Sequence, residues 1–269
     1  MIKAAVLGYP INHSLSPLLH KRAYEILGIS ASYEAIEITP HSALAFLVRA
    51  RDEDWTGFSL TMPLKEIVFD FKDELNLLID PVALRMRSAN TLIKEGEAFK
   101  AISTDRTGFA RLFSACKKDR VAIIGGGGTA RAALGALDVG GSEIDFLLRS
   151  PERSNLLSTI PLNSNLGFFD MSHSLKGYDL VISTVPEGAS DFIAANLDFK
   201  IPVLCEVLYR PHPSKLLAKA VSLGGETIDG MDLLVEQALE QIAEFSRRAF
   251  DFNFMRQELL ITGRRHLNL

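Results

Sequence analysis

Several kinds of protein are excluded by what this chain lacks. It has two cysteines in 269 residues, Cys116 and Cys205, with no CxxC pair and no Cys/His cluster. Neither a zinc site nor a disulfide framework is indicated, and a reducing cytoplasm is the expected setting. No cluster of Lys and Arg stands out against a net charge of −4, which argues against a nucleic-acid partner. No apolar run approaches membrane-spanning length. The opening residues, Met1 to Gly8, read as a short strand rather than a secretory leader. No Ser/His/Asp triad and no metal-ligand grouping is expected among the polar residues.

Hydrophobic content of 47% and charged content of 23% are ordinary for a globular protein, and the length allows two modest domains. The most informative feature is a run of four glycines, Gly125 to Gly128, between apolar Val121-Ala122-Ile123-Ile124 and Thr129-Ala130-Arg131-Ala132-Ala133-Leu134. That order is strand, tight loop, helix. Gly125, Gly127 and Ala130 fill the fixed positions of G-x-G-x-x-[G/A]. The first glycine makes the turn, the second lets backbone approach a pyrophosphate, and the small third residue lets helix pack on strand. Free N–H groups at the helix start then face phosphates. Gly126 sits where many residues would serve. About 120 residues precede the loop, so another structure is built before it.

The spacing predicts strands at 2–7, 33–38 and 58–61, helices at 17–27, 41–51 and 64–71, and a hairpin of 90–93 with 99–103 about Glu95-Gly96-Glu97. A helix is predicted at 107–117, with Leu18, Leu19, Ala23 and Ile26 forming the inner face of the 17–27 helix. Further strands are expected near 121–124, 143–148, 166–169, 179–183 and 202–206, with one long helical region from Met231 to about Leu260. Alternation of strand and helix implies an α/β fold with parallel sheets. The boundary between halves falls at roughly 104 to 120.

In such sheets, ligands bind beyond the carboxyl ends of strands. The polar residues there are Ser14 and Ser16, Thr61 and Lys65, Asn90, and Asp105. Together these hydroxyls, amide, ammonium and carboxylate suit a small polyhydroxylated substrate. Taken singly each has a plainer reading: Ser16 and Asp105 as N-caps, Thr61 and Asn90 as turn residues, Lys65 as a solvated lysine whose charge opposes the helix dipole.

Their order carries more. Ser14-Leu15-Ser16-Pro17, Thr61-Met62-Pro63-Leu64-Lys65, Asn90-Thr91-Leu92, Thr104-Asp105-Arg106-Thr107-Gly108 and the glycine loop, taken in sequence, resemble the shikimate dehydrogenase family. So do Val207-Leu208-Tyr209-Arg210-Pro211 and Gly230-Met231-Asp232-Leu233-Leu234-Val235-Glu236-Gln237-Ala238. The resemblance spans residue 4 to about 245. It implies an N-terminal α/β substrate domain, 1–104 with about 235–269 returning to it, and a Rossmann-type NADP-binding domain, 105–234. It implies reversible NADPH-dependent reduction of 3-dehydroshikimate to shikimate. Lys65 and Asp105 would be catalytic. Ser14, Ser16, Thr61, Asn90, Tyr209 and Gln237 would bind substrate, the two serines taking its carboxylate. Gly125, Gly127, Gly128, Thr129, Ala130 and Gly230 would serve the cofactor. The family holds monomers and homodimers.

For the cofactor, Asp145 lies about 20 residues after Gly125, the spacing of an NAD-type acidic residue, but it falls early in its strand. Arg149, Ser150 and Arg153 match the family's NADP pattern N-R-[TS]-x-x-[RK], and two guanidiniums can clamp a 2′-phosphate. Ser59, Ser103 and Ser183 stand where the family commonly has Asn, Glu206 for its Asp, and Leu233 for its Met. Leu148 in place of Asn is expected to lose an adenosine contact, and Arg87 in place of Gly to alter the backbone near Asn90. A quinate/shikimate dehydrogenase, a methylene-tetrahydrofolate dehydrogenase-like enzyme and a catalytically silent NADP-binding sensor are the alternatives.

Overall fold

Period-two patterning in short apolar segments, broken by capped helices, builds two six-stranded sheets. The computed structural model describes residues 1–269. The chain divides into two compact units, Met1–Thr107 with Leu234–Leu269, and Gly108–Leu233.

The first unit contains β1 (Ile2–Gly8), α1 (Ser16–Ile26), β2 (Ala31–Glu37), α2 (Pro40–Arg51), β3 (Gly57–Leu60), α3 (Leu64–Ile67, continued by a 3-10 turn Val68–Phe71), β4 (Leu77–Ile79), α4 (Pro81–Met86), β5 (Thr91–Glu95) and β6 (Ala98–Ile102). Its strand order is β2-β1-β3-β5-β6-β4. β1 runs parallel to β2 and β3, while β5 is antiparallel to both β3 and β6. The sheet is therefore mixed rather than parallel throughout, because β5 and β6 form the expected hairpin. β3 shows how the pattern sorts faces. Phe58 and Leu60 join the core with Ala43, Leu47 and Ala50 of α2 and Leu64 of α3. Gly57 and Ser59 turn to the other face, where a Cβ on Gly57 would lie 2.6 Å from the Phe245 ring.

α5 (Thr104–Leu112) leads into the second unit: β7 (Arg120–Ile124), α6 (Gly128–Leu137), β8 (Glu143–Leu147), α7 (Glu152–Ser158), β9 (Asn165–Phe169), β10 (Leu180–Ser183), α8 (Asp191–Asn196), β11 (Val203–Glu206), α9 (Lys215–Ser222) and β12 (Glu226–Ile228). All its strands are parallel, in the order β9-β8-β7-β10-β11-β12. Numbered within the unit that is 3-2-1-4-5-6, the dinucleotide-fold order, with its switch point between β7 and β10. Ile193, Leu197, Leu216 and Leu217 of α8, α9 and the adjoining loop pack with Ala122, Val181 and Leu204 of the sheet. α10 (Gly230–Ser246) and α11 (Phe252–Leu267) close the chain.

Several sequence expectations change. α5 starts at Thr104 rather than Thr107, and the region after Met231 is two helices. Arg247 adopts φ 50°, and Asp251 caps α11 through bonds from Asn253 N and Phe254 N at 2.8 and 3.0 Å. β4 and β12, three residues each, are too short to show a period, and α4 likewise escaped the pattern. On α1 the buried face is Ser16, Leu19, His20, Ala23 and Tyr24; Leu18 and Ile26 are only half-buried.

Arg87 ends α4 at φ 45° and ψ 47°, the left-handed cap position that glycine fills without steric cost. Its guanidinium pairs with Asp70 at 2.9 Å and lies over the Phe69 ring. Three residues on, the backbone is paired on both sides: Asn90 N–H donates to Ile102 O at 3.1 Å and Asn90 O accepts from Leu60 N at 2.8 Å. Left-handed backbone costs a non-glycine residue about 1–2 kcal/mol, while an exposed ion pair is worth about 0–1 kcal/mol. Arg87→Gly should raise the urea midpoint, corresponding to a gain of up to about 1 kcal/mol; a lower midpoint would contradict the account.

Candidate active site

The loops after β1 and β3 lie together at the carboxyl ends of these neighbouring strands. Tyr9 N–H donates to Met62 O at 3.0 Å and Thr61 N–H to Leu7 O at 2.9 Å. A Cβ on Gly8 would stand 2.3 Å from Thr61 Cγ2, so the close approach requires glycine. The first loop carries Ser14 and Ser16. Ser16 is not the N-cap: it is buried at the first position of α1, and its N–H donates to Ser14 Oγ at 3.3 Å. The second loop carries Thr61 and opens into α3, which bears Lys65.

Lys65 Nζ lies 2.6 Å from Asp105 Oδ2, with side-chain exposures of 16% and 5%. So Lys65 is neither solvated nor left opposing a helix dipole alone. Asp105 is not an N-cap either; it occupies the first turn of α5, behind Thr104. The cap comes from Asn90, across the sheet. Asn90 Oδ1 accepts from Thr104 N at 2.6 Å and Asp105 N at 3.3 Å. Its Nδ2 donates to Thr104 Oγ1 at 2.8 Å, Asp105 Oδ1 at 3.0 Å and Gln237 Oε1 at 3.3 Å. Gln237 in turn donates to Leu234 O at 2.8 Å. Lys65, Asp105, Asn90 and Gln237 thus form one bonded group, and Ser14 with Ser16 a second. Thr61 belongs to the loop bridging them in sequence.

Residues not anticipated stand behind this group. His20, Tyr33 and Gln241 join Ser59 in a buried polar network: Tyr33 Oη donates to Ser59 Oγ at 2.6 Å, and Ser59 Oγ to Gln241 Oε1 at 2.9 Å. Burial holds the His20 imidazole neutral, pushing its pKa down to about 3. One signal was available, since Gln237 and Gln241 are one helical turn apart on α10 and therefore share a face.

In the second unit the glycine loop follows β7 at the switch point. Gly125 has φ +105°, and a Cβ there would meet Thr184 Oγ1 at 2.6 Å. Gly127 precedes α6, which starts at Gly128; Thr129 is half-buried, and Ala130 is fully buried where helix meets sheet. Gly126 is more constrained than expected, because a Cβ would press on Leu148 Cδ2 at 3.1 Å and Arg153 Cβ at 3.3 Å. Leu148 is buried against this loop. Arg149, Ser150 and Arg153 are exposed after β8, whose Leu147 O accepts from Gly125 N at 3.0 Å. Asp145 is mid-strand and accepts from Tyr178 Oη at 2.6 Å. Tyr209 is half-buried in the loop after β11. At Gly230 a Cβ would lie 2.4 Å from Val207 O, so that glycine admits close backbone packing of the Tyr209 segment. Glu206 is buried, with its carboxyl pKa raised by burial, and accepts from the Ser183 and Ser214 hydroxyls.

Strand order, glycine cradle and lysine–aspartate pair define a two-unit α/β protein of the dehydrogenase class, with a Rossmann-type second unit. A family model for the shikimate dehydrogenase substrate binding domain matches residues 6–92. Shikimate dehydrogenase (NADP(+)) of Exiguobacterium sibiricum is 30% identical over 252 residues, covering 90% of this chain and 91% of the relative. The crystal structure of Mycobacterium tuberculosis shikimate dehydrogenase is 31% identical, covers 97% of this chain and 100% of that one, and superposes with a TM-score of 0.83. That of Thermus thermophilus shikimate 5-dehydrogenase, in complex with NADP(H) and shikimate, is 26% identical with the same coverage and a TM-score of 0.84. The chain belongs to the shikimate dehydrogenase family. No helix is long and apolar enough to cross a membrane.

Asn90→Ala removes the cap of α5 and leaves buried N–H groups at Thr104 and Asp105 without their acceptor. A loss of about 2–4 kcal/mol is expected in denaturant unfolding; a loss under about 0.5 kcal/mol would remove Asn90 from this role.

Proposed function

We propose that this chain catalyses the reversible reduction of 3-dehydroshikimate to shikimate with NADPH. The observation that carries the reading is the Lys65–Asp105 pair, 2.6 Å apart and largely buried. Bound NADPH would supply a hydride for the C3 carbonyl carbon. Negative charge then develops on the carbonyl oxygen, and the Lys65 ammonium stabilises it and delivers the proton. The resulting amine is reprotonated from solvent, and oxidation of shikimate runs the same transfers backwards. Asp105 Oδ2 fixes where the Lys65 nitrogen stands, while Asn90 fixes Asp105. Ser14 and Ser16 take the substrate carboxylate, and Thr61, Asn90 and Gln237 take its hydroxyls.

The second unit fits a dinucleotide. Side chains are missing where backbone must approach a pyrophosphate: at Gly125 a Cβ would clash with Thr184, and Gly127 and Gly128 open α6. Thr129 and Ala130 complete that cradle. Arg149, Ser150 and Arg153 would hold the 2′-phosphate, and Asp145, occupied by Tyr178, does not compete as an NAD-type ribose acceptor.

The direct test follows reduced-nicotinamide absorbance with shikimate or quinate and either NADP⁺ or NAD⁺. Turnover is expected with shikimate and NADP⁺; binding without turnover would sink the enzyme reading. Lys65→Ala should lower kcat by about 10²- to 10⁴-fold with little change in substrate KM, and near-normal turnover would remove Lys65 from the chemistry. Replacing Arg149 and Arg153 together by Ala should cut kcat/KM for NADP⁺ about tenfold or more, with the NAD⁺ value little changed. Equal efficiency with both cofactors in the parent protein would contradict the assignment.

A further inference from the structure

One backbone carbonyl sets the direction of every hydrogen bond behind the substrate-side group. Asn90 O accepts from Leu60 N at 2.8 Å and from Gln241 Nε2 at 3.3 Å. A carbonyl only accepts, so the Gln241 amide must turn its nitrogen toward Asn90. The same nitrogen donates to Thr91 Oγ1 at 2.9 Å, and Thr91 shares a bond with Thr104 Oγ1 at 3.2 Å. Gln241 Oε1 therefore faces the other way, where Ser59 Oγ lies at 2.9 Å and His20 Nε2 at 3.3 Å. An amide oxygen only accepts, so His20 must carry its hydrogen on Nε2. Its Nδ1 is then an acceptor, and Tyr24 Oη, 3.1 Å away, donates to it.

His20 has no freedom to do otherwise. It is fully buried, stacked on the Tyr33 ring at 3.8 Å between centroids, and faces Tyr24, Tyr33 and Phe245. The titratable side chains packed with it are the two tyrosines, whose phenols burial pushes upward. Neither offers a charge to favour an imidazolium. Gln241 Oε1 fixes the hydrogen on Nε2, and burial without a counter-charge keeps the ring neutral, so Nδ1 is left to accept from the Tyr24 hydroxyl.

We infer that His20 and Gln241 are positioning residues for the reduction: their fixed hydrogen-bond polarity holds the Asn90–Thr91–Thr104 corner so that Asp105 faces Lys65. The role rests on the reaction proposed above. Gln241 holds the Asn90 backbone and Thr91, Asn90 holds Thr104 and Asp105, and Asp105 holds Lys65. Neither His20 nor Gln241 bonds to Lys65 or Asp105 directly, so they act on rate through geometry alone. Misplacement by about 1 Å is enough to cost a large factor in rate.

Nitrogen-15 NMR of the imidazoles in the intact protein reads the polarity. His20 should show the Nε2–H tautomer and stay neutral down to about pH 5, below an ordinary histidine pKa. An Nδ1–H tautomer, or an imidazolium near neutral pH, would overturn the inference. Kinetics read the consequence. Gln241→Met keeps length without hydrogen bonds and should lower kcat about tenfold or more, with substrate KM within about threefold. His20→Gln keeps an N–H where Nε2 stands and should retain most of the activity, whereas His20→Leu should fall as Gln241→Met does. Equal rates for the two His20 variants would overturn the positioning role, and this comparison decides the matter if Gln241→Met does not fold. An inactive parent protein would overturn the assigned reaction and the positioning role with it. Parental rates in every variant would overturn the positioning role alone.

Discussion

An ammonium and a carboxylate held 2.6 Å apart with little access to water are the constraint around which the first unit is arranged. Removing two charges from solvent carries a desolvation penalty that mutual attraction offsets only when geometry is good and the remaining lone pairs are bonded. Asp105 meets that condition: one oxygen takes Lys65, the other takes the Asn90 amide. The Asn90 side chain also closes the start of α5, so one amide both begins the helix and aims the carboxylate it carries. Lys65 is bound into the same frame through its backbone, since Lys65 O accepts from Ala89 N at 3.0 Å. Two segments far apart in sequence are thus clamped beside Asn90, just before β5 begins.

The two units are built by opposite means. In the first, side chains do the work, and buried polar groups are satisfied through a network running from Tyr24 to Asp105. In the second, side chains are removed. Gly125, Gly126 and Gly230 each sit where a Cβ would strike a neighbour: the Thr184 side chain, the Leu148 and Arg153 side chains, and the backbone of Val207 and Leu208. Arg149 and Arg153 are the exception, placed beyond β8 where they remain exposed. Under the proposed cofactor reading, their planar guanidiniums would present parallel donors to a 2′-phosphate.

Most of the elements were legible in the sequence because their signals are local. Gly28, Gly96 and the apolar runs at Val121 and Leu180 mark turns and strands by composition alone. β4 and β12 were not, because three residues carry no period. The break between α10 and α11 was missed because Arg247 takes a left-handed conformation that its type does not advertise. Among the site residues, Lys65, Asp105, Asn90 and Gln237 were named from their order, and the fold brings these four into one bonded group. Ser16 and Asp105 looked like caps because both precede helical patterns. Telling a cap from a first-turn residue needs the acceptor, and for Asp105 the acceptor belongs to Asn90.

By itself, then, the sequence determined the α/β alternation, the glycine cradle after β7 and the identity of the charged pair. Each follows from neighbouring residues, through steric freedom at glycine, apolar periodicity or ordered motifs. Only the tertiary structure decided which groups meet and which way their hydrogen bonds run. Gln241 reaches Ser59 across 182 positions and His20 across 221, and no local rule relates those residues. Their donor and acceptor roles follow from a single backbone carbonyl at Asn90, which becomes an acceptor for Gln241 only once α10 lies against the sheet.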